Sequence, residues 1–334
     1  MNYFIFDLNN FIIMLINQIN LIVIIIPVLL SVALLTLLER KVLGYIQFRK
    51  GPNLVGPVGL LQPIADGLKL FIKENFKPSS ASNFFFFMSP PVFFLINIFL
   101  WGVSPFSVSS LNLNLSFLFI LAISSLSVYS ILLAGWASNS KYALLGSIRG
   151  AAQMISYEVS LGLVILPIIL LVGGWGLILF SEINNFYIFL VIPCSPLFLM
   201  WFISSLAETN RSPFDLAEGE SELVSGYNVE YSGAPFAFFF IGEYANIIFI
   251  NFISVVLFFG GNSPFNNFML GDLLVILKAL VLVIVFLWVR GSFPRMRYDQ
   301  LMMLMWKAFL PLSLGFLVFY CFILLVIINI SSYY

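Results

Sequence analysis

Eight stretches of about 20 apolar residues run through this chain, at 21–38, 84–103, 115–136, 151–172, 186–206, 234–259, 273–289 and 308–330. Each suits a hydrocarbon core about 30 Å thick, and the stretches between them carry Gly, Pro, Asn or charged residues. Of the 334 residues 61% are hydrophobic and 9% charged, against roughly 25% charged in a soluble domain. Lipid is therefore the solvent for most of the chain. The expected fold is all-α: a polytopic membrane protein of about eight transmembrane helices with one interfacial amphipathic helix, forming a single integral membrane domain over 1–334.

Charge placement supports that count, because Lys and Arg are retained on the side from which a membrane protein inserts. With eight alternating spans, every basic residue except Lys278 falls on one face, from Arg40 and Lys41 to Arg297 and Lys307. The opposite loops carry only Asp7, Glu182 and Asp272. Both termini are then expected on the face opposite the basic one. The first residues lack the Arg-rich amphipathic character of a mitochondrial presequence, which fits insertion from the first span.

Several functions are excluded early. The formal net charge is zero and no basic, aromatic-interleaved patch is present, so nucleic acid is not an expected partner. Histidine is absent altogether, which removes the commonest zinc ligand, haem ligand and general base. Cys194 and Cys321 are too few for an iron–sulfur cluster and lie in apolar stretches, where packing is their ordinary role. No metal is expected in this chain.

Between the first two spans, Leu61, Ile64, Leu68, Phe71 and Ile72 recur at helical spacing, while Gln62, Asp66, Lys69 and Lys73 share another face. An interfacial helix with that pattern either floats at the headgroups or turns Asp66 into a pocket at the membrane surface. Upstream stands LLERKVLGYIQFRKGPNLVG, 37–56, where Glu39 and Arg40 are expected to meet the lipid boundary. Basic flanks of this kind also simply anchor helices.

Three further strings carry ionisable groups. AGWASNSKYALLGSIRGAAQMISYEVS, 134–160, places Arg149 about two turns before Tyr157 and Glu158, and Glu158 inside a span. A carboxylate at that depth costs about 2.5 kcal/mol or more on insertion scales, so it normally faces a polar cavity or a partner. SLAETNRSPFDLAEGESELVSGYNVEY, 205–231, carries Glu208, Asp215, Glu218, Glu220, Glu222 and Glu230 against the lone Arg211. Ser212 and Pro213 look like a helix start there, which would align Asp215, Glu218 and Glu222 on one side. A solvated acidic loop is the alternative; crowded carboxylates in a dry site would instead share protons. FLWVRGSFPRMRYDQLM, 286–302, sets Arg290, Arg295 and Arg297 at the membrane surface, and Glu243 and Lys278 are ionisable groups inside spans.

Read together, these strings closely resemble the membrane-subunit family of respiratory complex I that includes subunit 1 of the mitochondrial enzyme and the H subunit of bacteria. ERKVLGYIQ with RKGPN, SNSKYALLG with QMISYE, AETNRSPFDLAEGESELVSGYNVEY and WVRGSFPRMRYDQLM fit that family in order and spacing. Departures are local: Gly150 stands where the family usually has alanine, and KENFKPSS is a loose version of its KEPxRP segment.

The resemblance implies a subunit of a proton-translocating NADH:ubiquinone oxidoreductase in the mitochondrial inner membrane. Its termini would face the intermembrane space, and it would join hydrophilic-arm and membrane-arm subunits among membrane lipids. FMN and iron–sulfur clusters would reside in the partners, ubiquinone would be the substrate, and no complete catalytic site would lie in this chain. By matching position, Arg40, Asp66, Phe240, Arg290 and Arg295 would line the quinone route. Tyr157, Glu158, Glu208, Asp215, Glu218, Glu230 and Glu243, with Lys278, would form the proton path. A membrane subunit of a related energy-conserving hydrogenase and a stand-alone secondary transporter are the alternatives; paired broken helices in symmetric halves, common in the latter, are not found.

The topology is directly testable. A cysteine introduced at Asn53 should react with an impermeant thiol reagent only from the basic face, and one at Asn184 only from the other; labelling of both from one side contradicts eight spans.

Overall fold

In the computed structural model the described residues are 2–106, 111, 113–186, 189–217, 219, 225–264 and 268–331. Among them there is helix and no strand. The elements are α1 (Asn2–Ile46), α2 (Gln62–Ile72), α3 (Asn83–Leu100), α4 (Ser116–Ala137), α5 (Lys141–Val172), α6 (Leu177–Phe186) and α7 (Ser195–Glu208). They continue as α8 (Ala234–Phe258), α9 (Phe268–Ser292), α10 (Tyr298–Met303), a π-helical segment (Leu304–Phe309) and α11 (Leu310–Ser331). Seven helices among the described residues are long and apolar enough to cross a membrane. The chain is thus an all-α, multi-pass membrane protein.

Proline decides where one expected span departs from a single helix. The stretch 186–206 contains Pro193 and Pro196; proline lacks a backbone donor and disfavours helix at the residue before it. Turns occupy 190–194, and α7 starts at Ser195 with Pro196 in its first turn. At 14 residues, α7 is only about 21 Å long by helical rise, shorter than the hydrocarbon core. The preceding turn is held by the Val191 amide donating to the Phe258 carbonyl at the end of α8. Glu208, at the other end of α7, consequently terminates a helix well inside the bundle.

α8 is the central helix. In its span 72% of the residues are buried by the rest of the chain, against 17% in the span that includes α10 and α11. It packs on α3, α9 and α1, while α5 packs on α4, α7 and α11. Between α5 and α8 lies the polar segment 209–233, which the sequence predicts to contain a helix starting at Ser212. The structure corrects this: Ser212 and Pro213 lie in a turn, with the Phe214 amide donating to Arg211 and the Leu216 amide to Phe214. Tertiary donors take the carbonyls a helix would need. Met296 N–H donates to the Pro213 carbonyl at 2.9 Å, and the Gln153 side-chain amide donates to both Ala207 and Phe214 at 2.7 Å.

Small residues allow this irregular segment to touch a helix backbone. A Cβ at Gly146 would stand 2.8 Å from the Gly226 Cα, and one at Gly150 would stand 2.9 Å from the Ala217 Cβ. Both distances are closer than atoms tolerate. The departure at Gly150 therefore has a packing reason here. Gly150→Ala gains about 1 kcal/mol of helix propensity but overpacks a fixed contact at roughly 1–3 kcal/mol. The expected result is a lower thermal midpoint for the purified assembly, restored when Ala217→Gly is added.

Candidate functional site

The buried face of α1 delivers the first component. Val28, Val32, Leu35 and Glu39 recur at helical spacing and are all buried. Glu39 therefore points into the bundle; it is not at the lipid boundary where the sequence put it, whereas Arg40 beside it is exposed. One oxygen of Glu39 forms a direct ion pair with Arg290 of α9, and the same oxygen lies 3.8 Å from an Arg211 nitrogen. The other accepts a hydrogen bond from the Tyr244 hydroxyl of α8 at 2.6 Å. Arg211 also stacks 4.3 Å above the Tyr244 ring. Leu35, Ile247, Phe286 and Leu287 complete the walls of a small cavity at this cluster.

An aromatic ladder on α8 leads to it. Phe236 and Phe240 have ring centroids 4.5 Å apart, and Phe240 and Tyr244 are stacked at 6.3 Å. Each step is four residues, so the three rings share one helix face. Phe240 is thus placed beside the arginine cluster. Nearer the basic face, Asp66 accepts from Arg40 at 2.5 Å and from Gln62 at 3.0 Å. That ties the Asp66 side of α2 to α1.

Arg295 and Asp215, assigned by resemblance to different routes, meet in a 3.0 Å ion pair. With the Met296–Pro213 hydrogen bond, this pair fastens the stretch after α9 onto segment 209–217.

The neighbouring face of α8, about 100° around the helix, carries a second set. Glu243, directly preceding Tyr244, accepts a short hydrogen bond from the buried hydroxyl of Tyr227. Tyr227 and Tyr231 pack edge-on against Phe239. Glu208 lines a cavity of about 20 Å³ with Ser124, Trp201 and Asn246, room for one water molecule. The Ser124 hydroxyl faces Glu158 at 3.5 Å. Glu158 is half-buried between exposed Ile155 and Val159, about 26 Å along α5 from its basic end by helical rise. Tyr157 points the other way, its hydroxyl donating to the Leu301 carbonyl at 3.3 Å.

Two of the predicted path members, Glu230 and Lys278, stand apart from this group. Glu230 is half-exposed in the turn before Tyr231. Glu218 lies outside the described residues. Lys278 of α9 donates to the carbonyls of Phe259, Gly261 and Ser263 at 2.7–3.0 Å and lies 5.4 Å from the Phe189 ring. It caps the turn after α8, about 22 Å by helical rise from the level of Glu243. No group of three or more metal-ligating side chains occurs among the described residues.

The site joins residues from the four strings singled out in the sequence. The profile of the NADH dehydrogenase family matches residues 19–321. The chain belongs to the NADH dehydrogenase family. Similar members named NADH-ubiquinone oxidoreductase chain 1 include those of Patiria pectinifera, 60% identical over 92% of this chain and 94% of its own length, and of Oncorhynchus mykiss, 58% identical over 90% and 92%. That of Branchiostoma lanceolatum is 58% identical over 91% and 95%. Membership in the NADH dehydrogenase family makes this chain an oxidoreductase component.

Sequence reading missed Glu39, Tyr244, Tyr227 and Gln153 as site residues and treated Arg211 only as the lone base of an acidic stretch. The signal for Glu39 was present in its register with Val28, Val32 and Leu35; the others become visible only through contacts across the fold.

The Lys278 cap yields a direct expectation. Lys278→Met leaves three carbonyls without their charged donor, so the amides of Phe259, Gly261 and Ser263 should exchange hydrogen about tenfold to a hundredfold faster, with Tyr227 unchanged. Unaltered exchange at all four contradicts the capping role.

Proposed function

We propose that this chain is the membrane subunit of a proton-translocating NADH:ubiquinone oxidoreductase, forming the quinone-access chamber and coupling quinone reduction to proton movement through a chain of carboxylates. The observation that carries the reading is the pairing on α8: Tyr244 joins the Glu39–Arg211–Arg290 cluster, and adjacent Glu243 joins the acidic interior. One rigid helix thereby links a cationic, aromatic-lined route to buried proton-holding groups.

On the first side, Arg40 and Asp66 stand nearest the basic face, Phe240 offers an aromatic surface, and Arg290 and Arg295 present guanidinium donors suited to the carbonyl oxygens of a quinone headgroup. On the second, Glu243, Glu208 and Glu158 hold protons at their carboxyl oxygens, with the Tyr227 and Ser124 hydroxyls beside them. Charge change at the quinone shifts proton affinity in such a poorly solvated site. Glu158, half-buried at membrane depth, needs a polar partner that another membrane subunit supplies. Asp215 ties the two sides through Arg295, Tyr157 and Glu230 enter this reading by resemblance, and Glu218 falls in the same segment. Lys278 enters this reading as the cap that fixes the end of α8.

Ubiquinone is the substrate in this reading, and the names of the relatives point to it. FMN and iron–sulfur clusters belong to hydrophilic-arm partners, and the further protons move through membrane-arm partners. The location is the mitochondrial inner membrane, with basic loops in the matrix and both termini in the intermembrane space.

Glutamine substitution tests the coupling, because it nearly preserves shape while removing the titratable proton. In assembled enzyme, Glu158→Gln and Glu208→Gln should each reduce protons pumped per NADH or slow quinone reduction by about tenfold or more. Normal rates with unchanged pumping would show that these acids only satisfy neighbouring groups.

A further inference from the structure

Gly146, Gly150 and Gln153 lie on one face of α5, at i, i+4 and i+7, and there the helix meets the non-helical backbone after α7. The two glycines allow close approach; Gln153 holds what approaches. Its side chain is fully buried, and its amide nitrogen donates to the Ala207 and Phe214 carbonyls, each at 2.7 Å. Two carbonyl acceptors on one atom identify that atom as the nitrogen. The amide oxygen is buried and accepts no hydrogen bond among the described residues, so the side chain acts here as a donor.

Ala207 immediately precedes Glu208, and Phe214 immediately precedes Asp215. The two ends of this stretch are held differently. At the Asp215 end, the Arg295 ion pair and the Met296 amide on the Pro213 carbonyl tie it to the residues after α9. At the Glu208 end, the other hydrogen bonds of 204–210 among the described residues stay within α7 and its last turn. The Ala207 carbonyl also accepts from the Asn210 amide at 3.3 Å. Losing Gln153 would therefore leave that carbonyl paired locally and free the end of α7 from α5. The same α5 carries Glu158 five residues further on, about 7.5 Å away by helical rise. Ser124 touches both acid sites: its hydroxyl lies 3.5 Å from Glu158, and it lines the small cavity that Glu208 also lines.

We propose that Gln153 is a positioning residue for proton transfer, fixing the separation of Glu208 from Glu158 by tying the end of α7 to α5. The proposal rests on the carboxylate-chain reading above. Gln153 carries no titratable proton and acts only through the placement of Glu208. That placement matters because a proton passes between two groups only within hydrogen-bond reach, directly or through one bridging hydroxyl or water.

The test compares Gln153→Met, Gln153→Glu, Glu208→Gln and the combination of Gln153→Met with Glu208→Gln in the assembled complex. The readouts are kcat and KM for a short-chain ubiquinone, protons pumped per NADH, and NADH oxidation by a hydrophilic artificial acceptor as the control. Gln153→Met nearly keeps the volume and removes the donors. It should lower protons pumped per NADH or reduce the quinone kcat by about tenfold, with KM within about twofold and the control unchanged. The double variant should be no worse than Glu208→Gln, because both lose the same placed acid. Gln153→Glu keeps a donor only while its carboxyl is protonated; once ionised it repels both carbonyl oxygens. Its rate relative to the unsubstituted enzyme should therefore fall as pH rises, and a ratio that does not change with pH overturns the proposal. If Glu208→Gln impairs the enzyme but Gln153→Met does not, if the two effects multiply, or if Gln153→Met raises KM while kcat and pumping hold, the positioning role is wrong and the carboxylate-chain reading survives. If Glu208→Gln is itself without effect, the carboxylate-chain reading fails. Should Gln153→Met fail to assemble, the pH profile of Gln153→Glu decides alone.

Discussion

A hydrocarbon core offers no hydrogen-bond partners, so every backbone polar group placed inside it must be satisfied by the protein. Helices do this internally, and most of this chain complies. Within the segment 209–233 the stretch 209–217 is not helical, and the site depends on how its backbone groups are satisfied. Gln153 supplies one side-chain amide to two carbonyls, Met296 supplies a backbone amide to a third, and Gly146 and Gly150 clear room for close approach. This irregular backbone, packed against the helices, is what brings Arg211, Asp215 and Tyr227 into contact with the bundle.

The second consequence concerns charge. Burying ions is costly unless partners are close and geometry is good, and the cationic groups of the site are met by acids of the same chain: Arg290 by Glu39, Arg295 by Asp215 and Arg40 by Asp66. The acids on the other face of α8 are met by hydroxyls, Tyr227 at Glu243 and Ser124 at Glu158. Ion pairs fix geometry, whereas hydroxyl partners leave a carboxyl group free to hold or release a proton. The two faces of α8 are therefore chemically distinct while being mechanically one body.

The spans were legible because apolar length is a one-dimensional property. The six long spans at 21–38, 84–103, 115–136, 151–172, 234–259 and 273–289 each fall within a helix, as does most of the last. The span at 186–206 was blurred because Pro193 and Pro196 matter through backbone donors, which a hydropathy window does not weigh. The expected helix at Ser212 failed for a related reason: local capping preferences amount to about 1 kcal/mol, less than the combined hydrogen bonds from Gln153 and Met296. Glu158 and Glu243 stood out because charge is expensive at membrane depth, and Arg290, Arg295 and Glu208 because their strings resemble the family; Tyr244 and Tyr227 did not, since a tyrosine in an apolar run resembles any packed aromatic ring.

The sequence by itself determined that this is an all-α membrane protein and which ionisable groups fall within apolar stretches. These follow from transfer free energies, which belong to residues one at a time. Only the tertiary structure decided the pairings: that Glu39 faces inward to two arginines, that Asp215 meets Arg295, and that Lys278 caps the turn after α8. Those are relations between residues distant in the chain, set by helix packing and by the route of one non-helical segment, and no window along the sequence contains both partners.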